Sequence, residues 1–139
     1  MKKYRAVIDT NVLYAGLYSA TGASHQLLRF IEPGYVTPVL STTLVFEYEE
    51  VLRRNQKALK LSDRGLEDVL NGLCNRGECR SIHFLWRPQL RDAKDDHVLE
   101  LAVAGGCTDI ITHNIKDFLR ASELDVRILT PAELLGELK

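Results

Sequence analysis

An apolar run, Ala6, Val7 and Ile8, that ends on an acidic residue, Asp9, constrains the fold of this chain more than any other stretch. A parallel strand covered on both faces reads as continuous hydrophobicity, and the run has that β-branched character, so it is expected to be a central strand. Open α/β sheets place ligands at the C-terminal ends of such strands. Asp9, with Thr10 and Asn11 after it, is thus expected at the mouth of a crevice. Asp is also a favoured N-cap, and the apolar Val12 and Leu13 follow, so capping alone accounts for it equally well.

Helical patterns are expected over residues 12–17 and 24–31, separated by Thr21-Gly22 and stopped by Pro33-Gly34. A strand over 35–40 carries Pro38, and Ser41 caps a helix over 42–54. On a helical wheel Leu44, Val45, Tyr48, Val51 and Leu52 share one arc, with Glu47 and Glu49 at its two borders and Glu50 outward. The wheel does not choose between Glu47 and Glu49. Ser62 opens a further helix that Gly77 ends after Arg76. A third strand is expected over 80–85, a loop over 86–92, and a helix over 95–104 so apolar nearly all round that it should be deeply buried. Gly105-Gly106 ends that helix, and a strand over 108–112 leads to His113 and Asn114. A turn or short helix then carries Asp117 and Phe118. A brief strand over 127–129 and a helix opened by Pro131 close the chain. Strands alternate with helices throughout, the pattern of an α/β fold with one parallel sheet and helices on both faces.

A chain of 139 residues fits one domain, residues 1–139, and needs no covalent staples. Its 18 basic and 19 acidic residues give a net charge of −1, so no global field announces a polyanionic partner. Binding nucleic acid would need a local basic patch and metal ions. The best patch is Arg53, Arg54, Lys57, Lys60 and Arg64 against Asp63 alone. It reads either as a solvated helix end or as a phosphate-contacting surface. Three cysteines without a CxxC pair, no signal-peptide pattern and no apolar run of ~20 residues point to a soluble cytoplasmic protein.

The stretch RDAKDD, residues 91–96, sets three carboxylates at the start of the most apolar helix. Acids there suit the helix dipole, which explains any one of them. Asp95 and Asp96 are adjacent, however, and one must lean inward. Close buried carboxylates require protonation, hydrogen bonds or a cation, and hard ions such as Mg2+ or Mn2+ take oxygen ligands.

VIDTNVL with Asp9, a helix carrying Glu47, KDDHVLELA with Asp96, and IITHNIKDF with Thr112, Asn114 and Asp117 together resemble the PIN-domain family, in particular its VapC-like toxin branch. The resemblance runs nearly end to end, through the closing ILTPAELL. It implies a three-layer α/β/α sandwich with a parallel sheet of order 3-2-1-4-5 and a Mg2+- or Mn2+-dependent endoribonuclease. It also implies that Asp9, Glu47, Asp96 and Asn114 are the catalytic set and that Asp9, Glu47, Asp96 and Asp117 are metal ligands. Asn11, Asp95 and Thr112 would support them. Glu47 is thereby preferred to Glu49. The RNA contacts expected at Arg53, Arg54, Lys57 and Lys60 come from the local charge count and not from the resemblance. Asn114 stands where the family has a fourth acid; its amide brings no negative charge, which bears on a second metal ion more than on activity. His97 and His113 flank site residues and read as supporting or surface groups rather than ligands. The implied partners are an RNA substrate, a small antitoxin protein and a second copy of the chain in a homodimer.

Two other classes compete. A receiver-like phosphoacceptor domain would need paired acids near the first strand and an Asp closing the third, and neither Asp9 nor the Leu40-Ser41-Thr42 junction supplies them. A non-catalytic PIN-like module that binds RNA or protein is favoured by Asn114.

Overall fold

The computed structural model describes residues 2–80, 96–106 and 109–138, with 119–123 described in backbone only. Its elements run β1 (Tyr4–Ile8), α1 (Thr10–Tyr18), α2 (Ala23–Leu28), β2 (Val36–Leu40), α3 (Thr42–Arg54), α4 (Gln56–Leu59), α5 (Asp63–Arg76), β3 (Glu78–Cys79), α6 (Asp96–Ala104), β4 (Asp109–Ile111), a 3-10 segment (Ile115–Leu124), β5 (Arg127–Leu129) and α7 (Pro131–Leu138). The five strands form one parallel sheet in the order β3-β2-β1-β4-β5, the expected α/β/α sandwich. Among the described residues no helix is long and apolar enough to cross a membrane.

β1 lies at the centre, and Ala6, Val7 and Ile8 are all fully buried, as a strand covered on both faces requires. Pro38 sits inside β2 opposite Ala6. Proline removes a ladder donor, and the strand tolerates it because β3 begins only opposite Val39.

The helix bounds follow their caps. Ser41 Oγ accepts from Leu44 N and Ser62 Oγ from Gly65 N, each at 3.0 Å, and α3 and α5 start where these serines place them. α5 ends at Gly77, where a Cβ would lie 2.6 Å from Leu73 O and 2.7 Å from Pro38 O. That close approach delivers the chain to the sheet at once. β3 therefore comes two residues earlier than the expected strand over 80–85, of which 81–85 lie outside the described residues, as does the expected loop over 86–92. Arg80 N still donates to Leu40 O at 2.8 Å. α6 packs against β1, β2 and β4, and everything from Asp96 to Ala102 is buried.

Candidate functional site

Asp9 closes β1 and opens α1. Its Oδ1 accepts from Thr10 N at 2.9 Å, which is the capping role. Its Oδ2 accepts from the Thr112 hydroxyl at 2.7 Å and from Asn11 Nδ2 at 3.2 Å. Capping thus occupies one oxygen, and the other is tied to the end of the neighbouring strand. The parallel register Ile8↔Ile111 is the reason: it brings Thr112, the residue after β4, beside Asp9.

The Thr112 hydroxyl has one proton and two lone pairs and uses all three. It donates to Asp9 and accepts from Asn114 N at 3.0 Å and Asn11 Nδ2 at 3.3 Å. Asn11 Oδ1 in turn accepts from His113 N at 3.2 Å, and His113 Nε2 pairs with the buried Ser24 hydroxyl at 2.9 Å.

Glu47 enters from α3. Tyr48, the next residue, is buried with its hydroxyl donating to Ile8 O at 2.5 Å, which fixes the helix against the end of β1. With α3 in that phase, Glu47 Oε2 accepts from the Thr10 hydroxyl and Glu47 Oε1 lies 3.2 Å from His97 Nε2. A carboxylate only accepts, so Nε2 is the ring nitrogen that carries the proton in this contact. Glu49 instead pairs with Arg53 at 3.0 Å on the outer flank. Geometry therefore separates two residues that the wheel left level.

Asp96 is the first residue of α6 and is fully buried, with His97 directly after it. Asp95 lies outside the described residues. Asn114 is exposed and joins the network through its backbone N–H; Asp117 is half-buried, and its N–H donates to Asn114 O at 3.0 Å. Neither the Asn114 nor the Asp117 side chain is hydrogen-bonded to Asp9 or Glu47 among the described residues. Of the basic patch, Arg53 lies 3.0 Å from Glu49 and 4.0 Å from Asp63, and Arg54 lies 3.8 Å from Glu50, while Lys57 and Lys60 are exposed.

Burial pushes the Asp9 carboxyl above its ordinary range, against the pull of the Thr112 and Thr10 hydrogen bonds, and the charge of Glu47 adds to the rise. For Glu47 burial acts upward too, but the bonds from His97 and Thr10 outweigh it and hold its carboxyl below the usual value. The Tyr48 hydroxyl is raised well above its ordinary value by burial, and by the charges of Asp9 and Glu47.

Two carboxylates from different elements, one buried and destabilised as an anion and one kept ionised, suit a hard divalent cation. Among the described residues no three His, Cys, Asp or Glu side chains stand close enough to hold a metal by themselves. Mg2+ does not need three, since it binds through one or two carboxylates and otherwise keeps water and phosphate oxygens. The donor set therefore fits Mg2+ or Mn2+ better than a metal that requires a closed protein cage.

Thr10 and His97 are the site contacts least visible in the sequence, because each meets Glu47 only through the fold, 37 and 50 residues away. Glu100, buried on the apolar helix α6, is a further acidic residue that sequence patterning passed over.

No curated protein matches the chain. A family model for the PIN domain, a nuclease fold, matches residues 5–116, from β1 through Asp9, Glu47, Asp96 and Thr112 to the start of the 3-10 segment. That span covers most of the chain and agrees with the sheet order 3-2-1-4-5: the chain belongs to the PIN-domain family.

Proposed function

We propose that the protein is an endoribonuclease that hydrolyses RNA phosphodiester bonds with Mg2+ or Mn2+, the ion resting on Asp9 and Glu47, with Asp96 at the start of α6 as a further acid of the catalytic set. The observation that carries this reading is the meeting of Asp9 and Glu47, each fixed by its own donors, at the C-terminal edge of the central strand. When bound, the ion would polarise the phosphate and lower the pKa of a water molecule. The chain's own contribution is positional. Thr112 and Asn11 orient Asp9, while Thr10 and His97 orient Glu47, so neither carboxylate has to reorganise on binding. Asn114 at the end of β4 adds an oxygen donor without charge, which favours one tightly held ion over two, with Asp117 as a further acid nearby in sequence. Lys57 and Lys60, with Arg53 and Arg54, supply positive charge for the RNA backbone.

The finer reading is that this is the toxin of a toxin–antitoxin pair: cytoplasmic, homodimeric and silenced by a small antitoxin. Its support is the similarity of the four motifs to the VapC-like branch. The test is incubation of the purified protein with structured RNAs, with Mn2+, Mg2+ or EDTA, beside Asp9→Asn as a control for contaminating nuclease. Metal-dependent cleavage that the control lacks is the expected result. A second reading, a non-catalytic module that binds RNA or protein, is favoured by Asn114; a melting temperature raised by divalent metal without any cleavage would select it.

A further inference from the structure

Glu47 has three side-chain torsions, and fixing such a side chain costs up to about 2 kcal/mol of rotamer entropy, so its orientation has to be enforced by neighbours. Thr10 and His97 are those neighbours. Each stands one residue after another of the proposed catalytic acids, Thr10 after Asp9 and His97 after Asp96. Glu47 therefore bridges, through its two oxygens, the two segments that carry the other acids.

His97 is the less expected partner. Its side chain is 9 % exposed, and Nδ1 is buried without a hydrogen-bond partner among the described residues. Burying an imidazole is costly unless its polar atoms are used, and the polar contact described for this ring is Nε2 with Glu47 Oε1. An apolar residue would fill the space in α6 at lower cost if packing were the requirement, since the residues after it, Val98 and Leu99, are buried and apolar.

We infer that His97 is a positioning residue whose Nε2–H holds the Glu47 carboxylate turned toward Asp9, in the orientation that receives a divalent cation. The inference rests on the metal reading proposed above. It concerns affinity for the ion, because a partner that orients a ligand typically changes metal binding by about 10- to 100-fold when removed.

The experiment is calorimetric titration of Mn2+ into the EDTA-stripped, dialysed full chain, comparing wild type with His97→Gln, His97→Phe and His97→Leu, each melted first without metal. Glutamine keeps a side-chain N–H donor near the position of Nε2, whereas phenylalanine and leucine keep only bulk. Phe and Leu variants that melt cooperatively are expected to bind Mn2+ at least tenfold more weakly, and the Gln variant within about threefold of wild type. Whichever of the two apolar variants folds is sufficient for the comparison. Wild-type affinity in an apolar variant, or an equal loss in the Gln variant, overturns the inference alone. No Mn2+ binding by the wild type overturns the metal reading and this inference with it.

Discussion

Thr112→Val exchanges a buried hydroxyl for a methyl of nearly the same size, so packing is retained and three hydrogen bonds are lost. The bond to Asp9 Oδ2, at 2.7 Å, matters most because its acceptor is a carboxylate only 6 % exposed. A hydrogen bond to a charged group contributes about 1.5–3 kcal/mol. The Asn114 N–H that also loses its acceptor is on an exposed residue, where water substitutes, so it adds little. At about 2.1 cal/mol/K of unfolding entropy per residue, a chain of this length loses about 5–10 °C in Tm for that change. Thermal melting in EDTA, followed by far-UV circular dichroism, reads it. Thr112→Ser is the control: it keeps the hydroxyl, loses one methyl and is expected to fall by only about 3 °C. A Thr112→Val protein melting within 2 °C of wild type, or a Thr112→Ser protein melting as low as the valine variant, would refute the reasoning.

Asp96→Asn removes charge without volume and is expected to abolish RNA cleavage in a gel assay while the circular dichroism spectrum stays native; full activity would remove Asp96 from the catalytic set. Glu47→Gln is likewise expected to be inactive, whereas Glu49→Gln loses only a surface pair with Arg53, about 0.3–0.5 kcal/mol in urea unfolding, and keeps its activity. Gly77→Ala would press a Cβ against the backbone oxygens of Leu73 and Pro38, in two elements that cannot both retreat, and is expected to cost about 1–3 kcal/mol by the same measurement. Glu78 is held at a pKa of about 2, below its ordinary 4.5, by hydrogen bonds from Arg5 and then Arg80. A lowered acid stabilises the fold fully above its ordinary pKa and loses that contribution as pH falls toward about 2. The advantage of wild type over Glu78→Gln is therefore expected to be about 0.2–1 kcal/mol near neutrality, since the pair is partly exposed, and to vanish at the acid end.

What was legible in the sequence was what local chemistry specifies. Ser41 and Ser62 at their N-caps and Gly77 at a C-cap mark α3 and α5 to the residue, and the apolar runs Ala6-Val7-Ile8 of β1 and Val98-Leu99 with Leu101-Ala102 of α6 mark the stretches that are buried. α4 escaped notice because it is four residues long, has no side-chain cap and ends on Lys60 in a left-handed conformation at φ 55°. Asp9 was open to two readings because it does both things, capping with one oxygen and joining Thr112 with the other. The wheel could not separate Glu47 from Glu49 because both border the same buried arc; the deciding contacts, from Thr10 and His97, belong to other elements. Motif resemblance favoured Glu47 without supplying those partners. Arg53 and Arg54 read as free charge in a local count of residues 53–64, yet each pairs with a glutamate one helical turn earlier, outside that window.

Asp9 and Glu47 are proposed to share a divalent cation. Anomalous diffraction from crystals grown or soaked in Mn2+ tests it most directly. The account predicts a Mn2+ peak within coordinating distance of Asp9 and Glu47, and its loss in Asp9→Asn crystals. A peak elsewhere on the molecule, or none at these carboxylates under Mn2+ concentrations that support RNA cleavage, would contradict it.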